Sequence, residues 1–160
     1  MRPLRVRRAV PADQAALMPL VAQLHEHEGI PTDARTEQAL QGLLADPRLG
    51  FVVLAEPQGP VPGLVGYAVV GFGYSLEFAG RDAFVDELFV LPDSRGLGIG
   101  ALLLGAIERE CLAEKVAALH LEVEHANQDA KRLYERNAYE AHKRHLMTKW
   151  VGPRPGDAKP

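Results

Sequence analysis

Cysteine is nearly absent: Cys111 is the only one in 160 residues. An internal disulfide is therefore excluded, as is a thiolate metal cluster within one chain. An excess of one charge is lacking too. The 18 Lys+Arg against 21 Asp+Glu leave a formal net charge of -3, which gives no global attraction to nucleic acid or to an anionic membrane. No apolar run approaches the roughly 18–20 residues of a membrane span, and Arg2, Arg5, Arg7 and Arg8 are interleaved with apolar residues at the start. Neither secretion nor insertion is expected, and the cytoplasm is the expected compartment. Repeats and an interdomain linker are also missing. One domain is expected over residues 1–151, followed by a tail, 152–160, that has nothing to bury and is expected to be disordered.

What is present, 47% hydrophobic and 24% charged, is the composition of a soluble globular chain. Residues 4–10 alternate apolar and basic side chains and suit an edge strand. Ala16, Leu17, Leu20, Val21 and Leu24 follow at helical spacing. Pro19 inside that pattern predicts a kink or a late start, and Gly29 and Pro31 close it. A second helix is predicted over 36–45, ending before Pro47. Strands at 51–55 and 64–72 flank a turn at 57–63 rich in Pro and Gly. Further strands are predicted at 84–91 and 118–123, with helices after the glycine-rich stretch and over 127–136. Residues 139–151 read as one strand or a short pair. The sum is an α/β (α+β) fold, a mixed and mostly antiparallel central sheet flanked by helices.

The glycine-rich stretch Arg95, Gly96, Leu97, Gly98, Ile99 and Gly100 lies between an apolar run and an apolar-periodic helix. Such a loop bends freely, lets a ligand approach the backbone, and ends where the first helical turn directs unpaired N–H groups at an anion. Arg95 adds a full positive charge. By residue pattern alone this is a phosphate cradle whose ligand is open. Gly96, Gly98 and Ala101, with Glu122 at the end of the next strand, also satisfy a loose dinucleotide pattern. Against that reading, only about sixty residues follow and the preceding strands read as hairpins.

The signature Arg or Gln, two residues, Gly, one residue, Gly or Ala matches Arg95, Gly98 and Gly100. The chain thus resembles the Gcn5-related N-acetyltransferases over nearly its whole length. Asp86, Glu87, Leu88, Phe89 and Val90 fall in the place of that family's central strand, and Asn127, Ala130 and Tyr134 match its second cofactor motif. Residues 84–101 look most like the diamine and polyamine acetyltransferases. The resemblance implies acetyl-CoA as co-substrate, with no metal. The amides of Gly96 to Ala101 would hold its pyrophosphate, Leu88, Phe89 and Val90 would lend backbone hydrogen bonds to the pantetheine arm, and Asn127 and Ala130 would meet the pantetheine end. Tyr134 would be the general acid. The partner would be a small-molecule amine, attacking directly in a ternary complex, and the family suggests a homodimer.

Acetyl transfer to an amine needs a neutral amine and a proton for the departing thiolate. A tyrosine, with an ordinary pKa near 10, keeps its proton at neutral pH and can give it to a thiolate. Glu87 or Asp86, directly or through a water, would take the proton of an ammonium. Strand alternation sends the two to opposite faces, and Glu87 is favoured. Cys111 is left as a structural thiol. Residues two apart share no helix face, so His25 and His27 make a poor metal pair. In the polyamine relatives an acidic residue near Glu28 reaches the cationic substrate. Phe78 and Glu77, in a loop over 74–82, are further candidates for acceptor contacts, as is Asp86. His142, Lys143, Arg144 and His145 read as a solvated face or an aid to phosphate binding. A module that holds acetyl-CoA without turnover is the alternative from a different class.

Overall fold

The computed structural model describes residues 3–58 and 63–157; part of the predicted turn, 59–62, and the last three residues of the tail lie outside them. Strand β1 (Leu4–Arg8) leads through a single 3-10 turn into helix α1 (Gln14–Glu28), which runs through Pro19. Helix α2 (Ala34–Ala45) follows, its start capped by the Asp33 carboxylate accepting from the Arg35 amide. Three strands come next: β2 (Gly50–Pro57), β3 (Gly66–Ser75) and β4 (Gly80–Val90). Helix α3 (Ile99–Ala113), β5 (Ala118–Leu121) and helix α4 (Gln128–Arg136) complete the elements.

The sheet has the order β1-β2-β3-β4-β5, antiparallel except for the parallel β4–β5 pair. That pair flanks α3, so β4–α3–β5 is a crossover unit joined to a meander. Residues 50–55 of β2 are buried on both faces, as suits a strand covered by helices on either side. On one face Val53, Ala55, Ala68, Val70, Ala83 and Val85 pack against Ile99, Leu103 and Ile107 of α3. On the other, Val52, Leu54, Tyr67 and Phe89 pack against Leu17, Leu20, Val21 and Leu24 of α1 and Leu40 of α2.

Two expectations change. Residues 139–151 form no strand; their large apolar residues come as adjacent pairs, Leu146 with Met147 and Trp150 with Val151, so no single strand face gathers them, and all four are exposed. The segment instead meets the β3–β4 hairpin through the fork of Arg144 on Glu77, at 2.8 and 3.0 Å. The loop expected at 74–82 is a tight hairpin turn at 76–79, because β3 and β4 extend to pair Ser75 with Gly80. Beyond residue 151, the Arg154 carbonyl accepts from Arg35 and the Gly156 amide donates to Asp33, against the start of α2.

Candidate active site

The site is organised by one irregularity in β4. Val85 pairs with Val70 and Glu87 with Val69, so Asp86 is an extra residue, a β-bulge. Before it, Ala83 and Val85 face α3; after it, Leu88 and Val90 do. The bulge therefore reverses the alternation, and Asp86 and Glu87 both reach the α1/α2 face instead of opposite faces. Asp86 lines an open cleft of about 370 Å³ with Leu43, Val69, Gly71, Asp82 and Phe84. Glu87 turns toward α1.

Pairing between β4 and β5 stops at Val85 and Leu121, where the bulge begins. Beyond that point the α4-side edge of β4 carries no strand among the described residues. The Leu91 amide donates to the Val65 carbonyl, so by alternation the backbone of Phe89 faces β3 and that of Leu88 and Val90 faces outward. The Val90 carbonyl accepts from Arg95 Nε at 3.0 Å, which anchors Arg95 across the start of the glycine loop.

The three glycines differ in what they do. Gly96 and Gly98 have φ of 76° and 78°, and a Cβ on either would point into open space. Both are needed for the left-handed turn that delivers the chain to α3. Gly98 is the N-cap of α3 and no side chain caps that end, which leaves the first-turn amides, from Ile99 to Ala101, without side-chain acceptors. Gly100 serves packing instead: a Cβ there would lie 2.9 Å from Leu133 Cδ2, so α3 and α4 touch at this glycine. Leu97 is exposed beside the loop and Ile99 is buried beneath it.

That contact sets α4, and with it Tyr134. Burial first, and then the charge of Glu28, raise the Tyr134 hydroxyl above the ordinary tyrosine range, so it holds its proton at neutral pH. Its ring meets that of Tyr139 edge-on at 5.8 Å. Asn127 is the N-cap of α4: its Oδ1 accepts from the Ala130 amide at 3.1 Å, which commits that oxygen and that amide to the helix and leaves the Asn127 amide group as the free donor.

On the other side of β4 the carboxylates gather. Desolvation, and then the charges of Glu87 and Glu124, raise Glu28 above the usual carboxylate range. Asp86 is exposed as a residue, yet desolvation by the surrounding chain, followed by the Glu87 charge, raises it as well. Glu28 of α1 thus lies within electrostatic reach of both Glu87 of β4 and Tyr134 of α4, and Glu87 within reach of Asp86. Asp82 Oδ1, in the same cleft as Asp86, is buried without a hydrogen-bond partner. Phe78 stacks on His120, with ring centroids 4.8 Å apart, and His120 Nε2 in turn lies 3.6 Å from Asp82 Oδ2.

Sequence reasoning missed His25. It is 7% exposed, with Nε2 2.7 Å from Glu87 Oε1 and Nδ1 2.9 Å from Thr32 Oγ1. The Tyr67 hydroxyl donates to Glu87 Oε2 at 2.7 Å. The available signal was its place at i+4 from Val21 and i+1 from Leu24 on the apolar face of α1, a polar residue where a core residue is expected. Cys111 is buried, its thiol pushed up to about 11 by desolvation, and it is unreactive by that measure. Among the described residues no group of three or more His, Cys, Asp or Glu side chains is placed to hold a metal ion, and no helix is long and apolar enough to cross a membrane.

An uncapped helix start, a glycine loop before it, and a central strand that bulges and frees its edge leave backbone donors and acceptors open to an elongated ligand with an anionic end. Residues 17–139 match the Acetyltransferase (GNAT) family, and the chain belongs to it. It is 30% identical over 139 residues to the thialysine N-epsilon-acetyltransferase of Bos taurus, covering 81% of this chain and 80% of that one. Among solved structures it is similar to the integron cassette protein HFX_CASS3 from the mobile metagenome of Cole Harbour Salt Marsh. The TM-score there is 0.82 at 30% identity, over 95% of this chain and 93% of the other. It also shares the fold of AAC(6')-Iy, solved in complex with the bisubstrate analog CoA-S-monomethyl-acetylneamine. That TM-score is 0.78 at 16% identity, over 94% of this chain and 99% of the other. The chain is an acyltransferase of this family, and the dinucleotide reading of its glycine loop falls with that assignment.

Proposed function

We propose that the protein transfers the acetyl group of acetyl-CoA to the primary amine of a small cationic acceptor, a diamine, a polyamine or a similar amine, by direct attack. The observation that carries the reading is the opening beside β4: pairing with β5 ends at the bulge, and the outward backbone of Leu88 and Val90 continues toward the uncapped start of α3. The residues present fit the cofactor, because Gly96 and Gly98 leave open space where side chains would stand. The amides from Gly96 to Ala101, with Arg95 beside them, would bind its pyrophosphate. Leu88 and Val90 would hold the pantetheine arm, and the Asn127 amide group would meet its end. Acetyl-CoA, when bound, supplies the activated acyl group.

The chain's own residues then manage protons. Glu87, directly or through a water, takes one from the acceptor ammonium and so frees the nitrogen lone pair for attack. Tyr134, kept protonated by burial and by Glu28, would give its hydroxyl proton to the sulfur as the C–S bond breaks, and the second proton shed by the acetylated nitrogen would restore the phenol. Glu28, Asp86 and the unpartnered Asp82 Oδ1 give the acceptor side a negative character that selects a cation. The similarity to a thialysine N-epsilon-acetyltransferase supports the same choice.

A panel of diamines, polyamines, amino acids and aminoglycosides, assayed by release of CoA thiol, tests this reading. Turnover with cationic small amines is expected. Binding of acetyl-CoA without turnover of any amine would favour a sensor module instead. The proposal extends to a cytoplasmic location, which the lone buried Cys111 suits, and to a homodimer by analogy with the family, which sedimentation of the purified chain tests.

A further inference from the structure

Glu87 is held by both of its oxygens. A glutamate that serves as base is a carboxylate and accepts at both oxygens, so at 2.7 Å the His25 Nε2–H donates to Oε1, and the neutral imidazole then accepts the Thr32 hydroxyl at Nδ1. Tyr67, fully buried, donates to Oε2 from the neighbouring strand. The two partners of Glu87 come from α1 and β3, with Thr32 behind His25 in the loop after α1, and only the bulge at Asp86 turns Glu87 to the face where they converge. Burying such a polar cluster gains little stability over apolar packing of the same volume. A stability role therefore gives a weak account of it, whereas a carboxylate that must meet an acceptor in one geometry gives a strong one.

We infer that His25 and Tyr67 are positioning residues that fix the Glu87 carboxylate for proton removal, with Thr32 setting the imidazole tautomer. The inference rests on Glu87 being the base. With one lone pair of each oxygen committed to His25 and Tyr67, the carboxylate keeps its remaining lone pairs for the ammonium or a bridging water, and it cannot rotate away without breaking two hydrogen bonds. Misplacing a reacting group by about 1 Å costs on the order of 10²-fold in rate, and that is the loss these two donors prevent.

The test compares the full-length variants His25→Met, His25→Gln, Tyr67→Phe, Glu87→Gln and the double variant His25→Met with Glu87→Gln. Steady-state kinetics are measured with acetyl-CoA and the best amine of the panel, and acetyl-CoA affinity by calorimetry. Glu87→Gln sets the floor. His25→Met is expected to lower kcat by roughly 10²-fold with unchanged acetyl-CoA affinity. His25→Gln, which restores an N–H donor, should recover most of that loss, and Tyr67→Phe should fall between. The double variant should be no slower than Glu87→Gln alone, since both changes act through one group. If His25→Met does not fold, Tyr67→Phe and His25→Gln against Glu87→Gln decide the matter. Near wild-type kcat in Tyr67→Phe and His25→Met, with Glu87→Gln impaired, would overturn the positioning role and leave the base intact. Unimpaired turnover in Glu87→Gln would overturn the base and the positioning role with it.

Discussion

The two sides of β4 are made of different materials. Toward α3 and α4 the proposed cofactor side consists of backbone: the outward edge of Leu88 and Val90, the glycine loop, and the uncapped first turn of α3. Toward α1 and α2 the proposed acceptor side consists of side chains, Glu28, His25, Tyr67, Asp86 and Glu87, drawn from three elements and focused by one bulge. Backbone groups recognise what acyl-CoA substrates share, whereas side chains can be exchanged without moving the main chain. The first side can therefore be common to a family while the second sets which amine is used.

If that division is right, changes on one side should leave the other side's readout alone. The largest separation is expected from Gly98→Val. The left-handed φ of 78° costs a β-branched residue about 1–3 kcal/mol, so the loop rearranges and turns its amides. Acetyl-CoA affinity should fall by roughly tenfold or more, while circular dichroism of the fold stays native. Retained affinity in calorimetry would show that the loop is not the cradle.

A smaller effect is expected on the acceptor side. Glu28→Gln should raise the acceptor KM by roughly two- to fivefold, the worth of a partly exposed ion pair, with acetyl-CoA affinity unchanged. Acidity should act in the same direction. Because the pKa values of Glu28 and Asp86 are raised, their negative charge is complete only at higher pH than for ordinary carboxylates and is lost earlier as pH falls. The acceptor KM should therefore climb on acidification before ordinary carboxylates protonate, and Glu28→Gln should flatten that climb. A KM independent of pH through this range would remove the carboxylates from acceptor binding.

The smallest effect sharpens the boundary between the sides. Gly100→Ala places a methyl group 2.9 Å from the flexible end of Leu133, which can give way at a cost of about 1 kcal/mol. A lowered Tm with only a mild change in acetyl-CoA affinity is expected, since Gly100 serves helix packing more than ligand approach. A loss of affinity as large as that of Gly98→Val would place it in the cradle with its neighbours.

The same division explains what could be read from sequence. The glycine loop is a local motif, and the helix it opens is fixed by residues adjacent to it, so the turn at Gly96 and Gly98 and the start of α3 were legible in the sequence. The helical and strand periodicities of residues 14–121 were legible for the same reason. His25 was not, because its role depends on a partner 62 residues away and on a bulge that only the pairing of Val69 and Val70 with β4 reveals. Strict alternation sent Asp86 and Glu87 to opposite faces; one extra residue in the strand brings them to the same face. The contact of Phe78 with His120 was not legible either, because it depends on a four-residue turn between β3 and β4 and on the pairing of β5 beside them.

Tyr134 stands where the two sides meet, on a helix positioned by Gly100 and within the field of Glu28. Replacing it with Phe removes the proton and little else. The most direct test is therefore to measure, in Tyr134→Phe, both acetyl-CoA affinity by calorimetry and acetyl transfer by CoA thiol release. Turnover at least roughly tenfold slower with unchanged affinity is predicted, the lower range of a lost general acid. Unchanged turnover, or a loss of affinity that accounts for the whole drop in rate, would contradict the account.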